Sequence, residues 1–325
     1  VTGLSDHMSP GKISNLIRSN EVAFRVDFEG QIPAQSSLYW RGPVMARYNG
    51  YRWYQSRRQV LNRFNINVTE PAIKYTVTLE PNGERWLLPL DIPTRLIPDA
   101  FMTQDFQLIS TKKINDLLRY SMESRVAYEV GADEDLEYLG VTLEYPDDLN
   151  PKTIAMGKSL AQRFDRSEDV INEVLKMFRE QEYFYTLRPP ALGNHVVDEF
   201  LFETRRGFCE HYAGSFALLM RAAGIPARVV TGYQGGEYNN VGNYLIVRQS
   251  DAHAWAEVWI ENKGWVRIDP TAAVSPSRSV QGLDNAAAET NLIPVEHYRL
   301  SRGDRTLGFV KMNDVPVGGW AFQAA

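Results

Sequence analysis

The sequence predicts a β-rich N-terminal domain followed by an α+β domain. Apolar residues alternate with polar ones over much of residues 20–130, recur every three or four residues from about 151 to 224, and alternate again after that. The length of 325 residues fits two domains of roughly 150 residues each. We therefore predict a β domain at 1–145, an α+β core at 146–275 and an extended tail at 276–325.

The first 130 residues have the pattern of several short strands. Residues 22–28 and 73–79 alternate most regularly, and turn sequences such as Pro81-Asn82-Gly83 separate the runs. Short strands joined by such turns are typical of an all-β sandwich or barrel. The many aromatic residues here, Tyr39 and Trp40 among them, are expected to pack in its core, with a partner-facing or glycan-facing surface as the alternative.

The second domain begins with helices and ends with strands, which is the order of an α+β fold. Helices are predicted over residues 151–164 and 167–178, and a third helix from Cys209 to Gly224. Its apolar residues recur at helical spacing and predict one buried face. The acidic stretches 131–137 and 146–148 between the domains are interpreted as a solvated connector, because they lack the spacing of a calcium loop.

Composition excludes several classes of protein. A net charge of −5 and a pI near 5.7 provide no positive field for nucleic acid, and one cysteine allows no intrachain disulfide. The longest apolar runs are far shorter than the roughly 20 residues that span a bilayer. The chain starts at Val1 without a basic and apolar leader, so we expect a soluble segment whose targeting sequence lies outside these residues.

Cys209 is the first candidate catalytic residue. It lies at the predicted start of the third helix, after Gly207, which allows a close approach of the backbone. Unpaired N–H groups and the positive end of the helix dipole favour a thiolate there and offer donors to an oxyanion. A lone cysteine can equally be a small buried apolar residue.

His253 and Asp269 lie on two adjoining predicted strands, and both are candidate catalytic residues. A hairpin with an odd loop length puts them on the same side of the sheet. With five loop residues, Trp255 faces Asp269, and His253 is its diagonal neighbour within hydrogen-bonding reach. A histidine held by a carboxylate can exchange a proton with the Cys209 thiol. The alternate face of the first strand, starting at Ala254, is the expected core face.

Three further residues are possible lining residues of the site: Trp255, Glu210 and His211. We also considered a metal site made of Cys209, His211, His253 and Asp269. No second cysteine or histidine follows at the spacing that zinc sites use, so no metal and no cofactor is expected.

Four segments match the transglutaminase-like superfamily in order and spacing. They are Gly207-Phe-Cys-Glu-His-Tyr-Ala213, Arg221-Ala-Ala-Gly-Ile-Pro-Ala-Arg-Val-Val-Thr-Gly-Tyr233, Asp251-Ala-His-Ala-Trp-Ala-Glu-Val258 and Gly264-Trp through Asp269-Pro-Thr271. The resemblance implies a papain-like core and a Cys–His–Asp triad at Cys209, His253 and Asp269. Leu38-Tyr-Trp-Arg-Gly-Pro43 and the opening Asp6-His-Met-Ser-Pro-Gly-Lys-Ile-Ser14 resemble the periplasmic region of the TgpA family of bacterial membrane proteins. That resemblance implies a periplasmic location and tethering to the inner membrane through flanking helices.

The hypothesis for function is acyl transfer from carboxamides through a thioester on Cys209. The partners are then a protein or peptide bearing a glutamine or another amide, and an amine or water as acceptor. Two alternatives remain open at this point. The same triad could hydrolyse peptide or isopeptide bonds, or the chain could be a binding module that keeps the fold without the chemistry.

Overall fold

The computed structural model of the chain describes residues 3–274, apart from residues 10, 59, 61–66 and 69–71. The predicted tail at 276–325 lies outside the described residues. Within the described part, every helix is too short or too polar to cross a membrane.

The described residues form six α-helices and twenty strands, most of them short. The helices are α1 (Lys12–Ile17), α2 (Leu136–Val141), α3 (Pro151–Arg163), α4 (Ser167–Glu180), α5 (Val196–Asp198) and α6 (Cys209–Ala222). The strands of the first half are β1 (His7–Met8), β2 (Val22–Phe28), β3 (Tyr39–Met45), β4 (Arg47–Tyr48), β5 (Trp53–Tyr54), β6 (Asn67–Val68), β7 (Ile73–Leu79), β8 (Trp86–Leu87), β9 (Ile92–Pro93), β10 (Ala100–Met102), β11 (Leu108–Ser110), β12 (Leu118–Arg125) and β13 (Tyr128–Glu129). Those of the second half are β14 (Phe184–Tyr185), β15 (Arg206–Gly207), β16 (Ala227–Gln234), β17 (Glu237–Asn239), β18 (Tyr244–Arg248), β19 (Ala252–Ile260) and β20 (Gly264–Ile268).

The larger sheet has six antiparallel strands in the order β17-β18-β2-β7-β12-β9. Its central strands β2 and β7 confirm the two clearest strand predictions. Phe24 and Val26 on β2 and Tyr75 and Val77 on β7 are fully buried, as their alternation predicted. The predicted β-rich N-terminal region is therefore confirmed.

The second sheet carries the candidate site and has four antiparallel strands in the order β20-β19-β16-β3. Strand β3 comes from the N-terminal region, and β18 of the C-terminal region joins the six-stranded sheet. Each of these two sheets thus combines strands from both sides of residue 145. The division at 145 stays a prediction about the organisation of the sequence, and it does not separate one sheet from the other.

Helix α6 lies at the centre of the molecule. It begins at Cys209 and is followed by Gly224, whose φ of +80° is the left-handed conformation that often ends a helix, so both predicted ends are confirmed. The prediction of a single buried face was too narrow, because every residue of α6 except His211 is buried. Strands β16 and β19 pack on one side of the helix and α3 and α4 on others.

Both faces of β19 are buried, which corrects the expectation that only the Ala254 face is a core face. The other face carries Trp255 and Glu257, which are 1% and 2% exposed. Arg41 of β3 and Arg228 of β16 form ion pairs with Glu257. Burial opposes ionisation of this carboxyl group, but attraction to the two arginines prevails and lowers the pKa of Glu257 to about 2.

The acidic connector is only partly solvated, which corrects another expectation. Glu134 is held by Arg58 at 2.8 Å and accepts a hydrogen bond from Trp265 Nε1 at 2.8 Å. Trp259 Nε1 donates to the backbone oxygen of Gly131 at 2.7 Å. The connector therefore fastens the N-terminal region to strands β19 and β20.

Candidate active site

Cys209 is the first residue of α6 and is fully buried. Strand β15 leads into it through Phe208, whose backbone is extended. A Cβ atom on Gly207 would lie 2.7 Å from His211 Cβ and 2.8 Å from a ring carbon of Phe200, so only glycine fits this entry. The predicted close approach at Gly207 is confirmed, and it fixes the sulfur at a helix N-terminus.

Strands β19 and β20 bring His253 and Asp269 together. Trp259 pairs with Trp265 and Ile260 with Gly264, so the hairpin loop has three residues rather than five. Continuing this register still places Trp255 opposite Asp269, as predicted. His253 Nε2 lies 2.7 Å from Asp269 Oδ2. The diagonal hydrogen bond expected from the sequence is therefore present.

Asp269 has two further donors. The Tyr39 hydroxyl donates to Oδ2 at 2.8 Å, and the backbone N–H of Thr271 donates to Oδ1 at 3.1 Å. Burial opposes ionisation, but the charge of His253 and these hydrogen bonds prevail and lower the pKa of Asp269. The sequence predicted that Tyr39 packs in the core, with a partner-facing or glycan-facing surface as the alternative, and nothing in its local pattern pointed to the site.

Cys209 is among the groups that raise the pKa of His253, which places its thiol next to the imidazole. Because Nε2 is occupied by Asp269, Nδ1 is the ring nitrogen left for the thiol. Burial disfavours the imidazolium, but attraction to Asp269, the hydrogen bond with it and the contact with Cys209 together raise the pKa of His253 to about 10. The structure thus brings the three candidate residues together, and their action as a triad stays a prediction.

Trp255 lies against this cluster. Its ring is nearly parallel to the His253 ring, with 6.4 Å between centroids, and meets Tyr39 edge-on at 5.2 Å. Its buried Nε1 has no hydrogen-bond partner in the described part of the chain. As a possible lining residue, Trp255 therefore packs on one face of the imidazole and limits its rotation.

Glu210 and His211 lie beside a cleft of their own, which they line with Trp53. Glu210 accepts hydrogen bonds from the backbone N–H groups of Gly11 and Ile13, and burial raises its pKa to about 8. Nδ1 of His211 accepts from the backbone N–H of Phe208 at 3.4 Å, and burial lowers the pKa of His211 to about 4. Within the described residues, neither side chain forms a hydrogen bond or an ion pair with His253 or Asp269.

Tyr185 is a neighbour of the site that the sequence did not reveal. It pairs across the parallel strands β14 and β15 with Gly207, and Gly207 lies two residues before Cys209 in the sequence. Burial and then the charges of Cys209 and Asp269 raise its pKa well above the ordinary value. Its position depends on a strand pairing between segments about 22 residues apart, so no local motif could have indicated it.

The described residues contain no group of three or more histidine, cysteine, aspartate or glutamate side chains arranged to hold a metal ion. His211 accepts from a backbone N–H while His253 bonds Asp269. The geometry therefore gives no support to a metal site built from Cys209, His211, His253 and Asp269.

The order of helix and strands around Cys209, His253 and Asp269 is that of a transglutaminase-like core. Residues 158–270 match the model of the transglutaminase-like superfamily, and residues 1–130 match that of the TgpA N-terminal domain. The crystal structure of the periplasmic domain of TgpA from Pseudomonas aeruginosa has 42% sequence identity and a TM-score of 0.83, and the match covers 86% of this chain and 97% of that one. The chain therefore belongs to the TgpA family.

Two curated relatives agree with this assignment. The protein-glutamine gamma-glutamyltransferase of Pseudomonas aeruginosa is 42% identical over 291 residues, which are 89% of this chain and 43% of that protein. The uncharacterized protein YebA of Bacillus subtilis is 34% identical over 278 residues, 83% of this chain and 34% of that protein. The chain thus spans less than half the length of both relatives.

Proposed function

We propose that this chain catalyses acyl transfer from carboxamides, such as the side chain of a protein-bound glutamine, through a thioester on Cys209. The observation that carries the proposal is the convergence of Cys209, His253 and Asp269, with His253 Nε2 2.7 Å from Asp269 Oδ2. The name of the Pseudomonas aeruginosa relative, a protein-glutamine gamma-glutamyltransferase, supports the same reaction.

In the first half-reaction His253 already holds the proton of the Cys209 thiol, because the raised pKa of its imidazole, about 10, favours the imidazolium at neutral pH. The sulfur attacks the carboxamide carbon, a C–S bond forms, and the negative charge moves to the oxygen. The backbone N–H of Cys209, at the start of α6, is the proposed donor to this oxyanion. His253 then returns the proton to the nitrogen as the C–N bond breaks, so that ammonia and a thioester are formed.

The second half-reaction regenerates the thiol. An amine attacks the thioester and gives a proton to His253, the C–S bond breaks, and the sulfur recovers that proton. Water can take the place of the amine, which gives hydrolysis. Asp269, held by Tyr39 and Thr271, keeps the imidazole in one orientation through both halves.

We also propose that the chain is the periplasmic part of a protein tethered to the inner membrane. The solved relative with 42% identity is a periplasmic domain, and it matches this chain over nearly its whole length. Fusion of a periplasm-dependent reporter to the full-length protein checks this location, and a signal only from cytoplasmic reporters would contradict it.

The decisive experiment compares the wild-type chain with Cys209→Ala on a glutamine-containing peptide and a labelled primary amine, with ammonia release measured in parallel. We expect both signals to fall at least about a thousandfold in the variant, because the covalent route is lost. Circular dichroism and thermal unfolding serve as controls for folding. Turnover that survives the substitution would contradict the mechanism, and ammonia without amine incorporation would identify a hydrolase.

A non-catalytic binding module is tested through the thiol itself. If the site is active, Cys209 reacts with iodoacetamide faster than a free thiol at about pH 6–7, where an unperturbed thiol is almost wholly protonated. A rate equal to that of a free thiol would favour the binding module.

A further inference from the structure

A group of arginines that form no ion pair within the described part of the chain lies along the strand pair that leads to Cys209. Strand β15 runs directly into Cys209, and β14 pairs with it in parallel, Phe184 with Arg206 and Tyr185 with Gly207. The Arg206 guanidinium lies 5.1 Å from the centroid of the Phe184 ring. These two strands therefore carry the exposed Arg206 three residues before Cys209 in the sequence.

This surface is locally positive although the whole chain has a net charge of −5. Residues 182–188 and 205–207 together carry three arginines and one acidic residue, Glu182. Arg18 joins them, because its guanidinium donates to the backbone oxygen of Leu187 at 3.1 Å. The resulting arginine patch is a set of four residues: Arg18, Arg188, Arg205 and Arg206.

The arginine patch is not neutralised by the described part of the chain. None of its four residues forms an ion pair there, and Arg18, Arg188 and Arg206 are exposed. Other exposed arginines do have carboxylate partners, such as Arg119 with Asp27 at 3.4 Å. A guanidinium group is well suited to bind a carboxylate with two hydrogen bonds, so the patch has unused capacity for anionic groups.

The outer edge of β14 is also suited to an extended chain. The N–H groups of Phe184 and Thr186 donate to Arg205 and Gly207, each at 2.8 Å. Because alternate residues of a strand direct their N–H groups to opposite sides, the N–H of Tyr185 is directed away from β15. In the described sheets β15 is the sole partner of β14, so a peptide could pair along this edge.

We propose that the acyl donor is a protein or peptide segment whose reactive carboxamide is flanked by aspartate or glutamate side chains, which the arginine patch binds. This inference rests on the proposed function and adds the class of substrate to it. We assign the arginine patch to the acyl donor rather than to the acyl acceptor. A lysine amine, as acceptor, is positively charged at neutral pH, and a positive surface repels it.

The test uses three glutamine peptides of equal length in which the flanking residues are acidic, uncharged or basic. Amine incorporation by the wild-type chain should show kcat/KM highest for the acidic peptide, by about tenfold over the uncharged one, with the difference mainly in KM. The preference should shrink as salt is raised, because exposed charges are screened.

The variants are Arg188→Glu and Arg206→Glu, each of which should abolish or reverse the preference among the three peptides. Arg119→Glu is the matched control, since the same change of charge is made on the exposed face of β12 and should leave the preference intact.

A binding arm separates failure of this inference from failure of the proposed function. Fluorescence anisotropy of the labelled peptides with Cys209→Ala measures recognition without chemistry. Preferential binding of the acidic peptide without turnover by the wild type would sustain the arginine patch and contradict acyl transfer. Turnover without any charge preference among the peptides would overturn the inference. Equal binding of the three peptides would also overturn it if the chain bound vesicles of anionic lipid in a parallel assay.

Discussion

Two pairs of a carboxyl group and a histidine flank Cys209, and the two pairs carry different charges at neutral pH. In the first pair, Asp269 bonds directly to His253, the carboxyl pKa is lowered and the imidazole pKa is raised to about 10. In the second pair, burial raises the pKa of Glu210 to about 8 and lowers that of His211 to about 4. At neutral pH the first pair is therefore ionic, whereas the second is mostly uncharged.

The difference comes from the partners rather than from the residue types. Asp269 and His253 satisfy each other, so that the charge of each compensates the cost of burying the other. Glu210 is bonded to backbone N–H groups of the N-terminal segment, and His211 to the N–H of Phe208, so burial decides both pKa values. In the proposed mechanism it is the first pair that exchanges a proton with the sulfur, and the second pair fastens the structure around it.

The largest expected effect on activity is seen when the histidine of each pair is replaced by asparagine and the two variants are compared. His253→Asn should lower kcat/KM by about a thousandfold, because the group that moves the proton is lost. His211→Asn keeps an acceptor for the Phe208 N–H and should change kcat/KM by less than about threefold, within the range of a residue outside the reaction. Steady-state kinetics with thermal unfolding as a control measure both. Equal losses in the two variants would contradict the comparison.

A smaller effect is expected at the donor that supports the ionic pair. Tyr39→Phe removes the hydroxyl that donates to Asp269 Oδ2. We expect about a tenfold loss in kcat with little change in KM, since the imidazole is held less firmly, and a loss of stability of about 1–2 kcal/mol from the buried hydrogen bond.

Tyr75→Phe is the matched control for this prediction. Tyr75 is also fully buried, and its hydroxyl accepts from the N–H of Leu90 at 2.7 Å and bonds Ser124 at 2.7 Å, but it lies in the six-stranded sheet. A similar loss of stability with unchanged kcat is expected. If both variants lose kcat alike, Tyr39 acts through stability alone.

The smallest effect on activity is expected at Glu210, where pH dependence of stability is the measurement. A carboxyl group whose folded pKa of about 8 exceeds its ordinary 4.5 binds its proton more tightly in the folded chain. The free energy of unfolding therefore falls as pH rises from 4.5 through about 8.

Glu210→Gln should lack this contribution while activity stays close to that of the wild type. Chemical denaturation of both chains at several pH values isolates the contribution of Glu210, because His253 titrates in both. As pH rises from acidic to alkaline, we expect the free energy of unfolding of the variant to increase by at least about 1 kcal/mol relative to that of the wild type. If the free energy of unfolding changed with pH in the same way in the variant and the wild type, Glu210 would be ionised in the folded chain at neutral pH.

Local patterns were sufficient for the elements that carry the proposed triad. The start of α6 at Cys209 and its end before Gly224 follow from spacing within about fifteen residues. The strand pattern also required an odd loop length, which puts His253 and Asp269 on one side of the sheet, but the length of three residues is seen only in the structure. Tyr39 and Tyr185 could not be found in this way. Their contacts join segments that approach each other only when the sheets assemble, 230 residues apart for Tyr39 and Asp269.

The sequence by itself determined which residues begin a helix or share a face of a strand, because those properties depend on neighbours along the chain. Only the tertiary structure decided that both faces of β19 are covered and that His253 gains a proton while His211 stays neutral. Burial and charge depend on which groups meet in space, and such groups can lie anywhere in the chain. For that reason a histidine in a motif acquires its chemistry from its partner and not from its position in the sequence.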